Sequence, residues 1–169
     1  GAMRCVVSTD PAPSDADLLA ACRSSPSMAG QNLAATASAE RAESWSEDLC
    51  GWWPATYGGP DGEAPLRVAA LDCGAKRTIY RHLVQRGCEV MILPHDATAE
   101  DIRATEPDGL FLSNGPGDPA AVEETTAVIR EVMGEVPTFG ICLGHQLLAL
   151  ALGARTWNLS FGHRGTNQP

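Results

Sequence analysis

Basic residues are scarce in this sequence. Its 169 residues include 12 Lys and Arg against 21 Asp and Glu, which gives a formal net charge of −9. Nucleic-acid binding depends mainly on Lys and Arg side chains that neutralise phosphates, so this balance argues against a protein that binds DNA or RNA. We therefore expect no nucleic-acid partner.

Long apolar runs are also missing. The longest spans residues 147–152, whereas a membrane-spanning helix needs about 20 apolar residues. The opening residues do not show the charged-then-apolar pattern of a secretory signal. With 44% hydrophobic and 20% charged residues, the chain has the composition of a globular protein. We expect a soluble cytoplasmic protein with no membrane partner.

The cysteines lack the spacings of a metal site. None of the six forms a CxxC pair, and none has a Cys/His spacing suited to zinc. An even number is compatible with disulfides, but a chain of this length and apolar content does not need them for stability. We expect free thiols in a reducing compartment and no bound metal.

Composition changes near residue 65. Residues 1–57 are rich in small and acidic residues and contain one clear helix, with Ser14 as its N-cap, Asp17 at the capping-box position and Pro26 beyond its end. The Gly- and Pro-rich residues 58–65 are typical of a linker. The aromatic residues before it are Trp45, Trp52, Trp53 and Tyr57. They are expected to anchor the linker against a core, with a ligand platform as the alternative.

Short apolar runs alternate with amphipathic stretches over residues 66–169. Strands are predicted at 68–71, 89–93, 110–112 and 138–141, and 156–159 is compatible with a fifth. Helices are predicted at 75–86, 99–105, 120–133 and 143–152. This alternation predicts an α/β fold with a doubly wound, mainly parallel, flavodoxin-like sheet. Because such sheets bind ligands at the carboxyl ends of their strands, the loops after Leu112 and Ile141 are the candidate site.

The second of these loops contains a G-x-C-x-G sequence at residues 140–144. Between a strand and a helix, this pattern predicts a nucleophile elbow with Cys142 at its tip and small residues at Gly140 and Gly144 to permit the sharp turn. The positive end of the following helix would favour the thiolate of Cys142. The Leu143 amide, first in that helix, would be free to donate to an oxyanion. A merely buried cysteine is the alternative.

The first loop has the sequence SNGPGDP at residues 113–119. Two glycines and two prolines make a stiff loop whose backbone can approach a ligand closely. A phosphate-binding loop is disfavoured because no Lys or Ser/Thr follows at the required spacing. A plain tight turn is the alternative, but the position after a central strand favours a functional loop.

Three other places in the sequence carry ionisable side chains that could belong to a site. His145 follows the thiol by three residues; we expect it to support the elbow locally, with a general base as the alternative. His163 has no assigned partner. Lys76 and Arg77 begin a helix, where cations are electrostatically disfavoured, so they indicate either a contact beyond the helix or a solvated pair.

With these motifs in place, the sequence resembles the class I (triad) glutamine amidotransferases. GICLGHQ at 140–146 and SNGPGDP carry this resemblance. It is closest to the small, glutamine-hydrolysing subunits of carbamoyl phosphate synthetases, in the strings DCGAKR (72–77), LSNGPGDP (112–119), FGICLGHQLLALALGA (139–154) and FGHRGTNQP (161–169). The similarity is continuous over 66–169. Residues 1–57 are more loosely similar to the end of that subunit's N-terminal domain, so the chain looks like a fragment of it.

The resemblance implies roles for individual residues. Cys142 would be the nucleophile that attacks the side-chain amide of glutamine and forms a glutamyl thioester. Leu143 and Gly115 would donate backbone amides to the oxyanion. Gly115, Gly117, Leu143 and Gln146 match the glutamine-binding positions of the family.

The resemblance also implies partners. Ammonia would pass to a large synthetase subunit, which uses ATP and Mg to make carbamoyl phosphate for arginine and pyrimidine synthesis, and the small subunit itself would need no cofactor. The triad His and Glu of the family lie in a stretch beyond the equivalent of Pro169, and nothing in this chain matches them. We therefore expect these 169 residues alone to be inactive.

Two other hypotheses remain open. The chain could belong to an amidotransferase that supplies another synthase, such as one making anthranilate or guanylate; only the subunit-specific strings argue against this. Since the triad His and Glu are not matched, it could also be a non-catalytic interaction module.

Overall fold

The computed structural model describes residues 4–51, 64–157 and 159, which fall into two compact units. One unit holds the described residues of Gly1–Met28 and Trp157–Pro169, and the other is Ala29–Thr156. The predicted linker at 58–65 lies almost entirely outside the described residues, so the division into 1–57, 58–65 and 66–169 stays a prediction. In the described ranges, no helix is long and apolar enough to cross a membrane.

Helix α1 (Asp15–Ser24) belongs to the first unit. The Ser14 hydroxyl accepts from the Asp17 amide at 3.3 Å, and the Asp17 carboxylate accepts from the Ser14 amide at 3.1 Å. These two bonds confirm the predicted capping box. None of the ten residues of this helix is buried.

A five-stranded sheet forms the centre of the second unit. Its strands are β1 (Glu43–Trp45), β2 (Leu66–Asp72), β3 (Cys88–Pro94), β4 (Gly109–Leu112) and β5 (Thr138–Gly140), and their spatial order is β1-β3-β2-β4-β5. All neighbours are parallel except β1 and β3. The four parallel strands follow the flavodoxin-like order, which confirms the predicted sheet.

Two details differ from the sequence prediction. The described residues of 156–159 form no strand, and Trp157 is 78% exposed. The prediction for this stretch used β-propensity, which by itself does not form a strand because a strand also needs a neighbour to pair with. Conversely, β1 was not predicted, because three residues give too short a pattern. Its Trp45 lies opposite Val90 of β3, and its ring is 5.7 Å from that of Tyr80. Trp45 therefore packs on the core, as expected, whereas Trp52, Trp53 and Tyr57 lie outside the described residues.

Helices connect the strands. Those of the second unit are α2 (Ala34–Ala37), α3 (Arg77–Gln85), α4 (Ala99–Ala104), α5 (Glu123–Val132) and α6 (Leu143–Ala151). The helix predicted at 120–133 is confirmed over Glu123–Val132, but its predicted start is wrong: Pro119–Ala121 forms a 3₁₀ turn, and the backbone of Val122 (φ −101°, ψ 56°) interrupts the helical path. The predicted glycine endings are confirmed, because Gly87 (φ 80°) and Gly153 (φ 87°) follow α3 and α6.

Both faces of the sheet are buried. Alternate residues of β2 and β4, such as Leu71 and Leu112, share one apolar cluster with residues of α4, α5 and α6. The residues between them, such as Ala70 and Phe111, share a second cluster with Tyr80 of α3. Each fully buried Leu contributes about 1.5–3 kcal/mol to stability. Helices thus cover both faces, as the doubly wound prediction requires, and leave the carboxyl ends of the strands for the site.

Candidate active site

The strand order reverses at the carboxyl ends of β2 and β4. From β2 the chain crosses to β3 on one side, and it later returns to form β4 on the other side. The helices after β2 and β4 pack on opposite faces of the sheet, so a crevice opens between the loops that follow these two strands. Residues 73–76 and 113–118 form those loops, and residues 141–142 follow the neighbouring strand β5.

Cys142 occupies a strained turn between β5 and α6. Its backbone has φ 53° and ψ −108°, outside the favoured regions for a residue with a Cβ, and the residue is exposed. A Cβ at Gly140 would lie 2.5 Å from the carbonyl carbon of Gly144, and a Cβ at Gly144 would collide with the carbonyl oxygen of Leu112. Only glycine fits at either position. The predicted elbow is confirmed, and the alternative of a buried cysteine is wrong.

Two backbone amides near the elbow are available to a ligand. Leu143 is the first residue of α6, so its N–H has no acceptor within the helix. Neither Leu143 nor Gly115 donates its amide to any acceptor in the described part of the chain. Gly115 lies so close to β2's end that a Cβ there would collide with the carbonyl oxygen of Cys73. These are the two amides that the sequence assigned to an oxyanion site.

Ser113 connects the elbow with both loops. Its carbonyl accepts from the Gly144 amide at 3.0 Å, and its fully buried hydroxyl accepts from the Cys73 amide at 2.8 Å. The same hydroxyl donates to the Asn114 carbonyl at 2.7 Å. Leaving such buried polar atoms unpaired would cost about 1–3 kcal/mol each, so the network fixes the relative position of the three segments.

Asp72 is a site residue that sequence reasoning missed. Its carboxylate accepts from the amides of Gly74, Ala75 and Ala39 at 3.1, 2.8 and 2.7 Å, and from the Tyr80 hydroxyl at 2.9 Å. The bond to Ala75 holds the chain in a turn, which is why α3 begins at residue 77 and not at 75 as predicted. An Asp-x-Gly sequence at a strand end is a signal that could have found it.

The neighbouring thiol of Cys73 lies in a different environment from that of Cys142. Cys73 is 1% exposed, and burial, assisted by the negative charge of Asp72, raises its pKa to about 12. Burial and the same carboxylate also raise the pKa of Tyr80. Both groups remain protonated at neutral pH, so Cys73 cannot serve as a thiolate nucleophile.

Lys76 and Arg77 have separate environments. The Lys76 amide donates to the Asn114 side chain at 3.1 Å, and Asn114 in turn donates to the Gly74 carbonyl at 3.3 Å. The guanidinium carbon of Arg77 lies 5.9 Å from the centre of the Trp45 ring, a cation–π distance. Arg77 therefore makes a contact beyond its own helix, one of the two predicted outcomes.

The sequence profile of the family "Glutamine amidotransferase class-I" matches residues 69–169, more than half of the chain. The chain belongs to the class I glutamine amidotransferase family. Residues 1–68 lie outside that match.

Curated proteins similar to this chain include carbamoyl phosphate synthase small chains. The chain is 49% identical over 154 residues to the protein of Thermosynechococcus vestitus, covering 90% of this chain and 40% of the relative. It is 45% identical over 170 residues to that of Escherichia coli, covering 98% of this chain and 44% of the relative. The chain thus spans less than half the length of these relatives.

A solved structure is also similar to this chain. It is a protein of Thermoplasma acidophilum described as one of the subunits of a GMP synthase, with 26% identity and a TM-score of 0.47. The match covers 54% of this chain and 47% of that chain.

The remaining predicted site residues that the structure describes lie in the loop after β4 and in the first turn of α6. Gly117 has φ 105° and follows Gly115 in the loop after β4. Gln146 is exposed in the first turn of α6, and its amide donates to the Cys142 carbonyl at 3.1 Å. The side chain of His145 is exposed and bonds to none of the described residues, so the predicted local support by this side chain is wrong. His163 lies outside the described residues.

The site brings no cluster of metal-ligating side chains together. Across residues 4–51, 64–157 and 159, no group of three or more His, Cys, Asp or Glu is arranged to hold a metal ion. The site consists of one exposed thiol, two backbone amides and the network that holds them.

Proposed function

We propose that the chain is the first part of the amidotransferase domain, with the segment before it, of the glutamine-hydrolysing subunit of a carbamoyl phosphate synthetase. The observation that carries this proposal is the exposed Cys142 on a strained elbow. The elbow lies in a chain of the amidotransferase family, and nearly the whole of this chain is similar to carbamoyl phosphate synthase small chains. Its substrate would be L-glutamine and its partner the large synthetase subunit.

The proposed reaction begins when the Cys142 sulfur attacks the side-chain amide carbon of glutamine. Negative charge develops on the amide oxygen, and the amides of Leu143 and Gly115 would donate to it. When the C–N bond breaks, the nitrogen takes up a proton and leaves as ammonia, and a glutamyl thioester remains. Water then adds to the thioester, which gives glutamate and restores the thiol.

These reaction steps require a base that accepts the thiol proton and returns it to the leaving nitrogen. The resemblance assigns that role to a His oriented by a Glu, which no part of this chain matches. Gly117 and Gln146 would contact the glutamine; their positions support this role, because Gly117 is two residues from Gly115 and Gln146 is in the first turn of the helix that begins at Leu143. The ATP and Mg that drive carbamoyl phosphate synthesis would be bound by the large subunit, which serves the arginine and pyrimidine pathways.

The test is Cys142→Ser in the full-length protein assayed with the large subunit. Glutamine-dependent synthesis should fall by about a thousandfold or more, because the thioester cannot form, whereas synthesis driven by added ammonia should be unchanged. The ammonia assay is the internal control for assembly of the complex. Undiminished glutamine-dependent synthesis in the variant would refute the proposal, and a product other than carbamoyl phosphate would place the chain with another synthase.

A further inference from the structure

A segment outside the family match contacts the loop that carries Gly115. Residues 30–39, which we name the strap, precede the matched region by about 30 residues. Its Ala34 is fully buried in the core, its Ala39 amide donates to Asp72 at 2.7 Å, and its Ser38 hydroxyl accepts from the His95 amide at 2.9 Å. The strap therefore lies across the carboxyl ends of β2 and β3.

The strap also touches the loop after β4. The Asp118 amide donates to the Gln31 carbonyl at 3.0 Å, and the Gly30 amide donates to the Asp118 carboxylate at 2.9 Å. Gly117 is so close that a Cβ there would lie 2.8 Å from the Gln31 carbonyl oxygen and 2.9 Å from the Leu33 nitrogen. The loop is thus packed directly on the strap backbone.

Gly74 extends this packing to the other side of the loop. A Cβ at Gly74 would lie 2.8 Å from the Ala37 side chain and 3.1 Å from the Pro116 ring. Residues 115–118 are therefore held between the strap and the turn after β2. Gly117 approaches the strap backbone and Gly74 approaches the Ala37 and Pro116 side chains, so the loop has little freedom to shift without moving the strap.

The Asp118 carboxylate uses its two oxygens for two different tasks. One oxygen accepts from the Gly30 amide, and the other accepts from the Ala120 amide at 3.0 Å, which caps the 3₁₀ turn Pro119–Ala121. We propose that Asp118 is a positioning residue for glutamine hydrolysis, which fixes the Gly115 amide at the oxyanion by binding the loop to the strap. This inference rests on the proposed function.

The chemistry of the carboxylate makes the proposal specific. Asparagine has one oxygen and one NH₂ group, so it can satisfy only one of the two amides and directs a donor at the other. Serine can still cap the 3₁₀ turn but is too short to reach Gly30 as well. Both substitutions therefore weaken the side-chain bonding by which Asp118 joins the loop to the strap and caps the 3₁₀ turn, whereas the backbone bond from the Asp118 amide to the Gln31 carbonyl remains.

The experiment compares Asp118→Asn and Asp118→Ser with Asp101→Asn in the full-length protein with its partner subunit. Asp101 is a matched control because its carboxylate also completes a cap, at Thr98 before α4, in a segment that is none of the three site loops. Each variant is assayed for kcat and KM of glutamine hydrolysis. The rate at which iodoacetamide alkylates Cys142 is read by peptide mass spectrometry, since alkylation needs no oxyanion site.

Both Asp118 variants should lower kcat by about tenfold to a hundredfold, somewhat less than deletion of an oxyanion donor. The KM should change by less than about threefold, and alkylation of Cys142 should stay within about twofold of wild type. Asp101→Asn should leave kcat unchanged. Wild-type kcat in both Asp118 variants would overturn the inference, as would alkylation that falls in parallel with kcat. Failure of the proposed function would look different, because Cys142→Ser would then keep its glutamine-dependent activity.

Discussion

Two cysteines lie at the carboxyl edge of the same sheet and have opposite environments. Cys73 follows β2, is 1% exposed and has a pKa raised to about 12 by burial. Cys142 follows β5, is exposed and has a positive φ of 53°. Each begins a loop of the site, so neither the residue type nor the position in the topology explains why the two environments differ. The sharp turn that Gly140 and Gly144 permit exposes the Cys142 thiol. By contrast, hydrogen bonds to Ser113 and Asp72 hold the segment of Cys73, whose thiol stays buried.

The largest expected difference between the two cysteines is in the rates at which their thiols are alkylated. In the folded protein at pH 8, iodoacetamide should modify Cys142 at least about a thousandfold faster than Cys73, because Cys73 must be exposed by opening of the core before it reacts. Peptide mass spectrometry after timed quenching measures both rates. In denaturant the two rates should converge, and comparable rates without denaturant would show that the buried environment of Cys73 is not maintained.

The elbow is tested next by Gly144→Ala. The added methyl would meet the Leu112 backbone, so we expect a loss of about 2–4 kcal/mol in the free energy of unfolding. Displacing the thiol by about 1 Å should lower glutamine hydrolysis by about a hundredfold. Urea unfolding and the glutaminase assay on the full-length protein give the two values.

Gly109→Ala is the matched control for that substitution. Its Cβ would lie 3.5 Å from the Pro137 carbonyl oxygen, an ordinary contact, and Gly109 is at the other end of the neighbouring strand β4. Stability should therefore change by less than about 1 kcal/mol. Equal losses in the two variants would mean that the elbow packing is not specific.

The most gradual effect is on stability at alkaline pH. The folded pKa of Cys73 is raised from 9.0 to about 12, so the stability that this shift contributes is complete below pH 9 and is lost as the pH rises towards 12. The raised pKa of Tyr80 acts in the same direction. Cys73→Ala should reduce the slope between pH 9 and 12 by up to about 1.4 kcal/mol per pH unit. Urea titrations across this range measure it, with the exposed Cys50→Ala as control; an unchanged slope in Cys73→Ala would contradict the assignment.

The parts of the structure that sequence could predict are those set by local pattern. The capping box at Ser14, the four parallel strands and the elbow at Cys142 each depend on residues within a few positions of one another. Apart from the local turn at Asp72, the contacts of the site that sequence reasoning missed depend on long-range pairing. Asp118 meets Gly30 across 88 positions, and Asp72 meets Ala39 across 33. Neither residue type nor spacing indicates which distant amide a carboxylate will bind, so the contacts that hold the site were found only in the structure.

Strand β1 has a consequence for aggregation. It pairs antiparallel with the outer edge of β3, a seven-residue strand that contains Val90, Ile92 and Leu93. A truncation that starts at Leu66, the first residue of β2, would remove β1 and leave the amide and carbonyl groups of that apolar edge unpaired. Such an edge is a template for pairing with a second chain. The start of the family match therefore differs from the start of a protein whose sheet edge is protected, because residues 43–45 pair with β3 and cover that edge.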